Sequence, residues 1–139
     1  MNFDGKTGTK HTSLRGPGQA INAGDFFETE AIEPNGYRHA LFVVHCNISG
    51  LRVLNGELQD TADLGDWTAI PGTSFSMSVA NGDGVEATRA ILVAHDRVQR
   101  YVRVYLTTIA GASVAPTASV VQFNPAVDLG QNAINLTVN

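Results

Sequence analysis

Apolar and polar positions alternate with a period of two through much of this chain. Over residues 73–79, Phe75, Met77 and Val79 fall on one side while Ser74, Ser76 and Ser78 fall on the other. Over 98–108, Val98, Val102, Val104 and Leu106 share one side and Tyr101, Arg103 and Tyr105 the other. Ile134, Leu136 and Val138 repeat the pattern near the end. Successive side chains of a strand point to opposite faces, so this period predicts strands. Residues 37–48 are almost continuously apolar and read as a central strand covered on both faces. Further strands are expected over 25–32, 51–54, 67–70 and 87–94, and over 113–123 with an interruption at Pro116.

Turn chemistry separates these runs. Pro34-Asn35-Gly36, Ser49-Gly50, Asn55-Gly56, Pro71-Gly72, Asn81-Gly82-Asp83-Gly84, Gly111-Ala112 and Asn124-Pro125 all favour reversals. Roughly eight to nine strands with breaks about every 8–14 residues predict an all-β chain, a jelly-roll-like antiparallel β-sandwich. No helix is expected. The polar run 58–67 reads as a loop with at most one helical turn, and residues 57–66 contribute Glu57, Asp60, Asp63 and Asp66 with no base among them. Residues 1–20 are punctuated by Gly5, Gly8, Gly16, Pro17 and Gly18 and show little periodicity, so they are expected to form a flexible, extended N-terminal arm ahead of a single domain over 21–139.

Composition sharpens this picture. A chain of 139 residues can build one core without staples. Charged residues are 16% of the total and the net charge is −4, which argues against nucleic acid as a partner, because phosphate neutralisation needs a basic face. The single cysteine, Cys46, excludes an internal disulfide and fits a reducing compartment such as bacterial cytoplasm. No apolar run approaches the ~20 residues of a membrane helix, so no membrane association is expected. The N-terminus carries no apolar signal core, and the sequons at Asn47 and Asn135 read as chance.

Candidate chemistry is sparse. His45 and Cys46 are adjacent on an expected strand and face opposite ways, while His39 and His45 lie about 20 Å apart along it, too far to share one metal. A metal centre would need His95 or an acid brought in by the fold. Cys46 has no local base and reads as an inert buried thiol. No nucleophile elbow or phosphate-binding glycine loop is present. The acidic stretch reads as a solvated or partner-facing loop rather than a carboxylate pair for catalysis, and Asn81–Glu86 as a hairpin turn rather than a calcium loop. No cofactor and no enzymatic activity are expected. What remains points to surfaces. Lys6, Lys10 and Arg15 stand against Asp4 alone in the arm, and Tyr101, Arg103 and Tyr105 form a strand face of the residue types that dominate interface cores.

The apolar run 37–48, the acidic segment before Trp67, and above all Asp96-Arg97-Val98-Gln99-Arg100-Tyr101-Val102-Arg103-Val104-Tyr105 followed by Gly111 resemble small virion proteins of tailed phages. In length, arm and β-only body the chain is similar to the capsid cement, or decoration, proteins of short-tailed phages of the Bordetella phage type. That resemblance implies a jelly-roll sandwich that forms a homodimer on the exterior of the capsid and clamps neighbouring copies of the major capsid protein. The candidate dimer patch is the Tyr101, Arg103 and Tyr105 face, with Lys6, Lys10 and Arg15 laid along the shell. The competing expectations are a tail or head-completion component, a carbohydrate-binding sandwich built around an exposed Trp67 beside Asp63 and Asp66, and a cupin-type metal enzyme using His39, His45 and His95.

Overall fold

The computed structural model describes residues 8–16, 18–48, 53–78, 85–108, 113–124 and 133–138. Ten strands follow in chain order: β1 (Thr9–Arg15), β2 (Phe26–Glu28), β3 (His39–Ile48), β4 (Val53–Thr61), β5 (Thr68–Ala69), β6 (Phe75–Ser78), β7 (Val85–Ala94), β8 (Tyr101–Thr108), β9 (Thr117–Phe123) and β10 (Ala133–Val138). They form two antiparallel sheets, a β-sandwich. One has the order β1-β9-β3-β7-β10, and the other β2-β8-β4-β5 with β6 also paired to β4. The pairing is nested. The first strand meets the ninth, the second the eighth, the third the seventh, and the fourth meets the short fifth and sixth.

The core follows from the alternation. Ala40, Phe42, Val44, Cys46 and Ile48 of β3 point inward, with Phe42 set between Ile91 of β7 and Val120 of β9. From the opposite sheet Leu54 and Leu58 of β4 and Val102, Val104 and Leu106 of β8 close against them. All of these are buried. Burial of each such side chain is worth about 1.5–3 kcal/mol, so the facing apolar rows rather than any local propensity hold the sheets together.

The structure departs from the sequence reading in four places. The expected arm contains an edge strand instead: Thr9–Arg15 pairs with β9 from Thr9↔Phe123 to Arg15↔Ala118, with a bulge between Ser13 and Arg15. Residues 1–7, and Lys6 with them, lie outside the described residues, as do the expected turns at 81–84 and 111–112. The 57–66 loop is in large part the second half of β4. Leu58 and Asp60 point inward there, and the Asp60 carboxylate accepts the Gln99 backbone N–H at 2.9 Å and its side-chain amide at 3.0 Å, which is how an acid is tolerated at an inward position. The expected break at Asn55-Gly56 is continuous strand. The strand expected from Val98 begins at Tyr101, after a 3-10 turn at His95–Arg97, and Val98 packs on the core from the connection.

Gly56 has a packing reason. It lies opposite Phe75, and a Cβ built on it would sit 2.3 Å from the Phe75 Cζ. The ring of this buried phenylalanine occupies the space a side chain would need. Gly56→Ala is therefore expected to destabilise the fold by about 1–3 kcal/mol, the usual cost of overpacking. Urea denaturation should show a lower midpoint with an unchanged slope, and trimming the ring in Gly56→Ala/Phe75→Leu should recover part of the loss.

Candidate interaction surface

The outward face of the second sheet is built from the odd positions of β8 and β4 and from β2. Val102, Val104 and Leu106 fill the core, so Tyr101, Arg103 and Tyr105 must emerge on the other side. Register sets their neighbours: Tyr101 beside Thr61, Arg103 beside Gln59, and Tyr105 between Glu57 and Glu28. The Arg103 guanidinium lies over the Trp67 ring, 4.1 Å from its centroid, donates from Nε to Gln59 Oε1 at 2.9 Å, and pairs through Nη2 with Glu28 Oε2. A charge shielded on three sides is a rigid anchor, since little side-chain freedom remains to lose on docking. Tyr105 stacks with Phe26, ring centroids 5.8 Å apart, and Phe26 is 54% exposed. Tyr101 lies beneath the Arg100 guanidinium at 5.2 Å, and Arg100 pairs with Glu33 at 2.8 Å.

Beside the Phe26–Tyr105 stack runs a groove of about 440 Å³ lined by Asn55, Glu57, Ser74, Ser76, Tyr105 and Thr107. Trp67 is carried to this face by the turn after β4. There Asp63 Oδ1 accepts the Gly65 N–H at 2.8 Å and the Thr61 hydroxyl at 3.0 Å, with Leu64 in the left-handed region at φ 64°. These hydrogen bonds, the Gly65 amide first, hold the Asp63 carboxyl below its usual range. Three of the four acids of 57–66 therefore do separate work. Glu57 lines the groove, Asp60 holds Gln99 and Asp63 shapes the turn.

The sequence-predicted residues separate in space. Tyr101, Arg103 and Tyr105 share one face, as expected. Lys10 sits on the opposite sheet's edge strand, beside a shallow hollow it shares with Glu30 and Glu33. Arg15 is buried, with Nη1 donating to the Pro116 carbonyl at 2.8 Å and to the Gln19 carbonyl at 2.5 Å, and its guanidinium over the Phe27 ring at 4.6 Å. The folded chain thus engages Arg15 internally. Phe26 and Trp67 complete the Tyr–Arg face and were not among the candidate interface residues. Consecutive phenylalanines at 26 and 27 on a short strand were the available signal, since one of the two must point outward.

The histidines do not converge on a metal. Among the described residues no three His, Cys, Asp or Glu side chains gather as a metal site would require. His45 bonds Thr88 at 2.8 Å, and Cys46 is buried. His39 stacks on Phe123, and His95 follows Ala94, the cross-strand neighbour of His39. Gln122 Nε2 donates to the Glu33 carbonyl at 2.7 Å and meets His95 Nε2 at 3.1 Å, so this ring nitrogen accepts. Comparison with protein-family models, with curated proteins and with solved structures returns no match for this chain.

Burial first, and then the nearby His39, push the His95 pKa down from 6.5 to about 4, against a smaller opposing pull from Asp96. The sign follows from linkage. Above pH 6.5 the ring is neutral folded or unfolded. As pH falls from there towards 4 the unfolded chain takes up a proton that the folded chain refuses, so stability declines by an amount on the order of 3 kcal/mol. Unfolding free energies measured from pH 7.5 to 4 should fall more steeply for the native chain than for His95→Gln. Parallel curves would place the acid sensitivity elsewhere.

Proposed function

We propose that this chain is a structural virion protein that binds the outside of an assembled phage capsid as a homodimer and clamps neighbouring major capsid subunits. The observation that carries the reading is the Tyr–Arg face. Phe26 and Tyr105 stack beside an Arg103 already anchored on Trp67 and Glu28, a rigid cluster of the residue types that form docking hot spots. The nested strand order supports a finer proposal as well. First beside ninth, second beside eighth and third beside seventh, with the third also meeting the ninth and the fourth the eighth, is the wrapping of a jelly roll carrying one added edge strand, β10. Jelly rolls recur in viral shells, an analogy of fold that raises the capsid reading without locating it.

The action is mechanical. A protein that binds the expanded shell and not its precursor stabilises the former by mass action. Two faces on one dimer, held at a set separation, raise the effective concentration of the second contact once the first has formed. The face that meets the shell is the Tyr–Arg face of the second sheet, because it gathers the exposed aromatic stack and the anchored Arg103, whereas Arg15 is held within the domain. A tail or head-completion position is the same chemistry at another place in the virion.

A second reading has its own observation. The groove beside the exposed Phe26–Tyr105 stack, which Phe75 also lines, offers hydroxyl and carboxylate partners next to an aromatic face, the combination a saccharide needs. Arg103 occupies one face of the Trp67 ring, so that face is not open to a sugar.

Cosedimentation with shells of the major capsid protein separates these readings. The native chain should pellet with expanded shells and stay in solution with unexpanded ones. Phe26→Ala/Tyr105→Ala should weaken that binding at least tenfold, about 1.4 kcal/mol or more, while remaining folded. No binding of the native chain to expanded shells, or equal binding by the variant, contradicts the proposal. Retention on a glycan surface that the same variant abolishes would favour the saccharide reading.

A further inference from the structure

The outward face of the first sheet differs in kind from the Tyr–Arg face. Cross-strand register sets Val121, Leu41 and Leu92 in one row and Ser119, Val43 and Ala90 in the next. The same register continues to Ile134 beside Leu92 and Leu136 beside Ala90 on β10. Leu41, Val43, Leu92 and Val121 are half-buried and lie outside the core cluster, so the core does not account for them. Among the described residues the positions that share this face on β3, β7 and β9 are His39, Leu41, Val43, His45, Asn47, Glu86, Thr88, Ala90, Leu92, Ala94, Thr117, Ser119, Val121 and Phe123. The one Asp, Glu, Lys or Arg among them is Glu86, opposite Asn47 near the start of β7 and away from the Val121–Leu41–Leu92 row.

We infer that this face is where two copies of the chain pack together, sheet against sheet. Two properties point to a second copy as the occupant. The central rows of this face carry no charge, so they have no sign with which to select a charged partner and meet no repulsion from their own image, which an isologous two-fold contact requires. Its size also fits. Five strands about 4.8 Å apart and roughly seven residues long at ~3.4 Å each give a footprint of roughly 600 Å². That approaches the ~800 Å² each partner contributes to a standard stable interface, and apolar sheet faces of this extent are rarely left to water. The packing would be the ordinary face-to-face stacking of sheets at ~10 Å.

The arrangement deepens the clamp reading and rests on it only for its purpose. Joined through their first sheets, two protomers form four layers, with the two Tyr–Arg faces turned outward roughly 30 Å apart. Each dimer then presents two identical docking faces related by a two-fold axis.

Sedimentation equilibrium of the isolated protein tests the contact without any shell. The native chain should be dimeric at tens of micromolar, the strength expected of an interface this size. Leu41→Lys and Val121→Lys should each shift it to monomer, at least a hundredfold weaker in association. Far-ultraviolet circular dichroism of both should stay native. Should one variant unfold, the other still decides the matter. Tyr105→Ala, on the opposite sheet, should remain dimeric. A native chain that is monomeric at these concentrations, or a dimer that survives every folded lysine variant, overturns the inference. A native dimer that fails to bind expanded shells would leave this contact standing and remove the capsid reading alone.

Discussion

Strand β3 exchanges main-chain hydrogen bonds with β7 along one edge and with β9 along the other, and this double pairing settles which of its side chains face the second sheet. A slip of one residue would turn Phe42, Val44 and Cys46 to the outside and bring His45 and Asn47 into the core, so the register is strongly specified. β8 and β4 impose the same rule on the other layer, where burial of Val104 and Leu58 obliges Arg103 and Gln59 to emerge together. The surfaces are thus a consequence of the interior. Once one side of each strand is assigned to the core, the residues of the other side are gathered into a continuous face without any further instruction.

The two outer faces use that consequence differently. On one, charge and aromatic rings are tied to each other. Arg103 is held by Trp67, Gln59 and Glu28, and Tyr105 by Phe26. On the other, aliphatic and small polar residues fill the central rows, and among the described residues Glu86 is the one carboxylate position on β3, β7 and β9, near the start of β7. The first is suited to one specific orientation on a partner of different chemistry, and the second to burial against a surface like itself. Between them the inward titratable groups serve the fold. Asp60 holds Gln99, Arg15 closes on the carbonyls of Gln19 and Pro116, and His95 stays neutral against Gln122.

Much of this was legible in the sequence, because period-two alternation is a direct image of a strand with one buried side. The alternation in 98–108 and 134–138 located β8 and β10, and the long apolar run located β3. What escaped the sequence has physical reasons. Thr9–Arg15 contains one large apolar residue, Leu14, and joins the sheet through main-chain hydrogen bonds at an edge, which leave no pattern in side-chain type. Asn55-Gly56 has the chemistry of a turn, but its glycine answers to a ring that arrives nineteen positions later (Phe75 against Gly56). Asp60 looks like part of a solvated acidic run until Gln99 is placed against it. The Tyr–Arg face was visible on one strand, whereas Trp67 and Phe26 complete it only through the pairing of β8 with strands distant in sequence.

A cryo-electron microscopy reconstruction of expanded shells decorated with this protein tests the central claim most directly, because it shows which faces touch what. The account predicts protomers paired through the outer side of the β1-β9-β3-β7-β10 sheet, with Phe26, Arg103 and Tyr105 of each seated on a major capsid subunit. Density in which the shell is contacted by loops at the ends of the sandwich, with both sheet faces open to solvent, would contradict it.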